Sequence, residues 1–237
     1  MIPVLSKVRA IFAYERDETG KPTGRCTPEL AFTPSDNLRV TAKMDGTCCY
    51  IKDGKMHGRL DIRNDITKAP ADWFPTAGTE PDRSGHLVGF RPILKADGKL
   101  TAGDYKWHRD ALDQPDQTNA LFLEWNPDVK AYKYVVRPLS EFNGMTVELV
   151  GPKVNANRHK LDRHAYVIHG STIVDVNWKD FDALKEWLAG EDGKFYEGIV
   201  IHDLGTQKLY KAHRGHLGMI ASKNIVDWKG CPLPIYE

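Results

Sequence analysis

The sequence predicts an α+β fold, and three observations carry that prediction. Short apolar runs separated by turn dipeptides dominate the chain. Only one segment has clear helical periodicity. Strands and helices do not alternate in the regular way that a parallel α/β sheet requires. Taken in order, Val40-Thr41-Ala42 forms an apolar approach to Lys43, and Thr47-Cys48-Cys49-Tyr50-Ile51 forms a strand. Asp53-Gly54 then supplies the positive φ angles of a tight hairpin, with a second short strand starting at Lys55. Residues 64–100 are rich in Pro, Gly and Asp and read as long loops, and part of 104–113 reads as a helix. Val147-Glu148-Leu149-Val150 is a short strand that stops at Gly151-Pro152. The strongest helix is 179–189, where Phe181, Leu184 and Leu188 make one apolar face and Gly190 supplies the stop. Asp192-Gly193 leads into a strand over 195–201, and Gly205 separates that strand from Lys208-Leu209-Tyr210-Lys211.

Composition narrows the class. With 237 residues, 41% of them apolar, the chain can bury a sizeable core in one large domain. No stretch approaches the ~20 apolar residues of a bilayer-spanning helix. Met1-Ile2-Pro3-Val4-Leu5-Ser6-Lys7 lacks the build of a secretory signal, so the expectation is a soluble, cytoplasmic protein without a membrane partner. Of the four cysteines, Cys48 and Cys49 are adjacent while Cys26 and Cys231 stand alone. No Cys-x-x-Cys pair signals a zinc or redox motif, and disulfides are not expected in a reducing compartment. The net charge of +1 neither indicates nor excludes a nucleic-acid partner. The basic residues nevertheless cluster. Residues 151–164 carry Lys153, Arg158, His159, Lys160, Arg163 and His164 against Asp162 alone, and 208–216 carry Lys208, Lys211, His213, Arg214 and His216 with no acid. Each run reads either as a solvated loop or as a contact surface for RNA phosphates.

The candidate chemistry starts at Lys43-Met44-Asp45-Gly46. Apolar residues on both sides predict a partly desolvated amine, and desolvation or nearby cations lower an amine's pKa and free its lone pair for attack. Arg59 follows sixteen residues later on the hairpin partner. Glu148 sits in its strand, Glu197 sits beside Gly198 at a point of close backbone approach, and Lys211-Ala212-His213-Arg214 ends the series. A lysine nucleophile, two carboxylates able to hold a divalent metal and a late cationic pair form a phosphoryl-transfer set.

These residues, in this order, resemble the covalent nucleotidyltransferase superfamily of ATP-dependent ligases and mRNA capping enzymes. Within it the chain is most similar to a small group of ATP-dependent RNA ligases. The stretches that carry the likeness are 43–49, from Lys43 to Cys49; 148–155, from Glu148 to Asn155; and Glu197-Gly198-Ile199-Val200. Trp107-His108-Arg109 adds to it without a role. The match runs from about residue 40 to residue 218. The resemblance implies a ligase adenylation domain, ATP-grasp-like, of antiparallel sheets with flanking helices. Residues 1–237 would form that single domain, with 1–39 as an extension or edge. Lys43 would carry AMP as a lysyl-adenylate, Arg59 would contact the ribose or the 3′-OH end, and Glu148 would contact the ribose or support the lysine. Glu197, with Glu148, would bind Mg²⁺ or Mn²⁺, Lys211 would bind the α-phosphate, and Thr41 would meet the adenine edge. An aromatic between Glu148 and Glu197 would stack on the base. Tyr166 holds that place here, with a core position as its alternative reading. Lys153, Arg158, Lys160, Arg163 and Arg214 would contact RNA bearing 5′-phosphate and 3′-OH ends, in a nicked duplex.

The chain departs from the family at one point. The late motif is usually Lys-x-Lys, and here the better register gives Lys211-Ala212-His213, so His213 would face the nucleotide with partial charge near neutral pH. Three rival readings stand beside the RNA ligase. The first is a DNA ligase or capping guanylyltransferase, against which only about 23 residues follow Arg214, too few for a further oligonucleotide-binding domain. The second is a non-catalytic RNA-binding protein on the same fold. The third is an unrelated α+β protein in which the motifs arise by chance.

Overall fold

The computed structural model describes residues 2–6, 8–12, 18, 24, 37–63, 65–76, 85–113, 117–220 and 228–237. Cys26, Ser35, Asp36 and most of the expected 1–39 extension lie outside the described residues. The strands are β1 (Arg9–Ala10), β2 (Leu38–Lys43), β3 (Thr47–Lys52), β4 (Lys55–Arg59), β5 (Ile62–Arg63), β6 (Phe74–Pro75), β7 (His86–Leu87) and β8 (Gly89–Pro92). They continue with β9 (Asn119–Asn126), β10 (Ala131–Pro138), β11 (Thr146–Val150), β12 (Ala165–Ile168), β13 (Gly198–Asp203) and β14 (Lys208–His213). Among the described residues two short α-helices accompany them, α1 (Lys106–Asp110) and α2 (Phe181–Ala189). The class is therefore α+β. No helix among the described residues is long and apolar enough to cross a membrane.

The strands form an eight-stranded sheet in the order β10-β9-β12-β11-β3-β4-β8-β6, a four-stranded sheet in the order β1-β14-β13-β2, and a small β5-β7 ribbon. Pairing is antiparallel apart from β1 with β14 and β12 with β9. The Asp53-Gly54 hairpin joins β3 to β4, with Asp53 at φ 52°. The stretch 64–100, expected as loop, contributes β6, β7 and β8, and residues 77–84 lie outside the description. The strand expected from residue 195 begins only at Gly198.

Period-two alternation sorts each strand between core and cleft. In the large sheet, Cys49, Ile51, Phe122, Val147, Leu149 and Tyr166 share one core with Tyr105. Cys48 and Glu148, the intervening positions, are directly paired and face the other way. In the small sheet, Ile199, Ile201, Tyr210 and Ala212 pack with Leu184 and Leu188 of α2. Fully burying each such leucine contributes about 2 kcal/mol. The Asp180 carboxylate caps α2, accepting from the backbone of Asp182 and Ala183 at 3.0 Å each, and Gly190 ends it. Met44, Val150, Val167 and Tyr196 form a third cluster. Residues 44–46 carry the chain from β2 in one sheet to β3 in the other, so Lys43 sits where the two sheets meet.

Candidate active site around Lys43

A cavity of about 320 Å³ opens between the sheets. From the four-stranded wall come Thr41, Lys43, Val200, His202 and Lys211, and from the eight-stranded wall Cys48, Arg59, Glu148 and Val167, with His169 just beyond β12. Strand register explains the first wall. Val200 pairs with both Thr41 and Lys211, and Gly198 pairs with both Lys43 and His213, so each set forms one row across the sheet. Gly198 is required within its row because a Cβ there would lie 2.0 Å from the Ala212 carbonyl oxygen. Gly46 is required for the same reason, since its Cβ would lie 2.2 Å from the Leu149 oxygen and 2.7 Å from Glu148 Cγ.

Lys43 Nζ donates to the Glu197 carboxylate as an ion pair and to the Met44 carbonyl at 3.3 Å. The backbone binds the same two residues together, with Glu197 N donating to Lys43 O at 3.0 Å. Glu197 itself is 4% exposed and lies one residue before β13 rather than within it. Burial acts to lower the Lys43 pKa, but Glu197, Glu148 and Asp45 outweigh it and hold the amine above its ordinary value. This corrects the expectation of a lowered pKa, since the groups nearest the amine are carboxylates and not cations. Burial raises the Glu197 pKa against the pull of Lys43, and Asp45 and Glu148 add to the rise.

Glu148 behaves differently in the same cavity. Burial acts to raise its pKa, but the hydrogen bond from His169 Nε2 at 2.6 Å, the His169 charge and Lys43 reverse this and lower it. Arg59 lines the cleft and donates through Nε and Nη2 to Asp61 at 2.8 and 3.0 Å.

Asp45 is 6% exposed and is clamped by a loop. Asn155 Nδ2 donates to Asp45 at 2.8 Å and to the Gly46 carbonyl at 2.9 Å, and the Arg158 guanidinium forms an ion pair with the Asp45 carboxylate. The Asp45 N–H donates to His159 Nε2 at 2.9 Å, so that nitrogen is an acceptor, and burial pushes the His159 pKa down to about 4. Reaching this arrangement takes three consecutive left-handed residues, Asn155, Ala156 and Asn157, at φ 43°, 58° and 50°. For Ala156 that conformation costs on the order of 1 kcal/mol, and the clamp's hydrogen bonds offset it.

A family model described as RNA ligase 1 matches residues 57–229. The chain belongs to the RNA ligase 1 family. RNA ligase 1 of Rattus norvegicus is 28% identical, the alignment covering 77% of this chain and 68% of that protein. RNA ligase 1 of Pongo abelii is 29% identical, with 76% and 67% covered. RNA ligase 1 of Danio rerio is 25% identical, with 91% and 82% covered.

Several residues assigned from the likeness to ATP-dependent RNA ligases stand elsewhere than expected. Tyr166 has no exposure; its ring packs with Phe122 and its hydroxyl donates to the His108 carbonyl at 2.9 Å, so it offers no face to a base. Arg158 is spent on Asp45 and on the Trp228 carbonyl at 2.9 Å. Arg214 is 6% exposed and donates to the carbonyls of Tyr196 at 3.0 Å and Leu188 at 2.6 Å. Both arginines are internal braces rather than RNA contacts. His213 does share a face with Lys211, but burial, then His216, Lys211 and Lys43, push its pKa down to about 2, so it is neutral rather than partly charged. Lys153, Lys160 and Arg163 are exposed, as a phosphate-contacting surface requires. Trp107-His108-Arg109 lies within α1, where Trp107 stacks on His164 at 5.3 Å and His108 is buried, away from the cleft.

Sequence reasoning about this RNA ligase 1 family chain missed His169, His202 and the Asp45 clamp. Thr41 Oγ1 lies 3.1 Å from His202 Nε2 and donates to the Val200 carbonyl at 3.2 Å. The one available signal was alternation, since His202 lies two residues after Val200 and four after Gly198 on the same strand face.

Proposed function

We infer that this family member is an ATP-dependent RNA ligase that works through a lysyl-AMP on Lys43. The observation that carries the reading is the Lys43–Glu197 pair at the meeting of the two sheets, with Glu148 and Arg59 on one wall and Lys211 on the other. In this reading residues 1–237 form one nucleotidyltransferase domain of the ATP-grasp-like ligase type, working in a reducing cytoplasm.

Lys43 Nζ must lose a proton before it can attack. Glu197 accepts its hydrogen bond and has a raised pKa, so it is the group positioned to take that proton. The amine then attacks the α-phosphorus of ATP, a P–N bond forms and pyrophosphate leaves. The 5′-phosphate of RNA next attacks the same phosphorus, the P–N bond breaks and Lys43 regains its proton. Finally an RNA 3′-OH attacks the activated 5′-phosphate, and AMP leaves as the strands join. Lys211 binds the α-phosphate without a second cation from His213, Arg59 meets the ribose or the 3′-OH end, and Thr41 meets the adenine edge. With Tyr166 in the core, the base lies against Val167 and Val200. Exposed Lys153, Lys160 and Arg163 neutralise phosphates of a nicked duplex.

The donor set fits a hard divalent cation, since the carboxylates of Glu197, Glu148 and Asp45 all neighbour Lys43. Glu197 and Glu148 would hold Mg²⁺ or Mn²⁺, which when bound neutralises phosphate charge.

The test is incubation with α-labelled ATP and Mg²⁺, followed by a nicked duplex whose 3′-OH strand is RNA. A labelled protein that passes its label on and seals the nick supports the reading. Labelling by GTP instead of ATP would favour a capping enzyme, and RNA binding without any label would favour a non-catalytic protein.

A further inference from the structure

Three side chains of the eight-stranded wall converge, and the ligase chemistry uses only one of them, Glu148. Cys48 on β3 and Glu148 on β11 are directly paired, so they project from the same face of the sheet. Val167 on β12 pairs with Glu148 from the other side, and His169 follows two residues later on that face. As a result one donor atom each from Cys48, Glu148 and His169 lies within 4.8 Å of the others. All three line the cavity that holds Lys43. Donor atoms of a tetrahedral zinc site stand about 3.3–3.8 Å apart, so side-chain rotations that draw these three in by roughly 1 Å close the set around a single metal.

We propose that Cys48, Glu148 and His169 form a binding site for a borderline divalent transition-metal ion, Zn²⁺ above all, whose occupancy closes the cleft to nucleotide. A thiolate, an imidazole and a carboxylate are the three ligand types that zinc takes, whereas Mg²⁺ favours oxygen and keeps its waters. Three protein ligands leave a fourth position, which opens to the cavity. Binding forms Zn–S, Zn–N and Zn–O bonds; the Cys48 thiol proton passes to solvent, and His169 binds as the neutral ring, so the proton of an imidazolium passes to solvent as well. No electron moves. The ion replaces the Glu148–His169 hydrogen bond. The adjacent Arg59 does not oppose it with a bare charge, because its guanidinium is already paired with Asp61. The ligands are 121 residues apart from first to last, which is why no short cysteine motif announces them.

The exclusion of nucleotide rests on the ligase reading; the metal site itself does not. The full chain, kept under a non-thiol reductant, is titrated with Co²⁺ as a spectroscopic stand-in for Zn²⁺. A cobalt–thiolate charge-transfer band should grow to one equivalent and vanish when Zn²⁺ is added. Cys48→Ser should remove the band and weaken binding by ~100-fold or more, beyond the ~10–100-fold that loss of an outer-sphere partner costs. His169→Ala should weaken binding by at least ~10-fold, and Cys231→Ser should leave the band intact. Unchanged melting curves keep the comparison free of misfolding. A wild-type protein without the band, or a Cys48→Ser protein that keeps it, overturns the site. If the band forms but one equivalent of Zn²⁺ leaves Lys43 labelling by ATP unimpeded, the exclusion is overturned while the site stands. Absence of labelling in metal-stripped protein supplied with Mg²⁺ overturns the ligase reading instead.

Discussion

The two walls of the Lys43 cleft follow the same strand alternation but hold their charges in different ways. On the four-stranded wall, Lys43 is neutralised by Glu197, 154 residues away in sequence but tied to it also through the backbone, where β13 begins beside β2. On the eight-stranded wall every charge borrows a partner. Glu148 has His169 from the end of another strand, Arg59 has Asp61 from beyond its own strand, and Asp45, in the turn that joins the walls, has Arg158 from a distant loop. The contrast is sharpest in the two glutamates. Both are almost fully buried, yet the pKa of Glu197 rises and that of Glu148 falls. A buried carboxylate is set by what reaches it, so the two should answer differently to the same substitution.

The largest expected effect is on the four-stranded wall. Lys43→Ala should reduce covalent labelling by α-labelled ATP to background, and full labelling of the variant would remove Lys43 from the chemistry. Glu197→Gln keeps the shape but loses the proton acceptor, and labelling should slow on the order of 10²–10³-fold. Glu148→Gln tests the other wall. It should raise the ATP KM about tenfold with a smaller change in kcat, and an equal loss in both variants would erase the distinction between the walls.

A smaller effect belongs to the clamp. Arg158→Met leaves the buried Asp45 carboxylate without its cation, which costs about 3 kcal/mol and lowers the melting temperature by roughly 6–12 °C. A melting curve unchanged within 1–2 °C, on the order of the ~2–4 °C expected per kcal/mol, would show that the ion pair holds nothing.

The gentlest test reaches both walls through acid. His202 on one side and His159 at the clamp have pKa values pushed by burial to about 4, as has His108 in the core of the large sheet. Their folded values lie below the ~6.5 of an unfolded histidine, so the unfolded chain binds more protons in between. Stability should be complete above about pH 6.5 and decline as pH falls toward 4. Melting temperatures measured from pH 7.5 to 4.5 check this, and a flat profile would contradict it.

Distance along the chain, on either wall, decides what the sequence could disclose. The helix over Phe181–Ala189, the Asp53-Gly54 hairpin and the cleft-facing sides of the strands depend on neighbours a few residues away, and periodicity reveals such neighbours. Lys43, Glu148, Glu197, Arg59 and Lys211 were found as a set and the structure brings them together around one cavity or its ion pair. Arg158 and Arg214 were misread, and Tyr166 was left between base stacking and the core, because residue type cannot tell an exposed ring or guanidinium from a buried one with carbonyl or carboxylate partners. His169 went unseen because its importance comes from the β11–β12 register, which is a long-range property.

The three-residue turn from Lys43 to Thr47 also fixes how the cleft can open. Four chain steps reach at most about 14 Å even when fully extended. The turn is further fastened at Asp45 and Gly46 by Asn155. The walls therefore share a short tether at the nucleophile's end and cannot part there by more than its length. Widening at the far rim therefore strains this fastened turn less than widening beside Lys43 does.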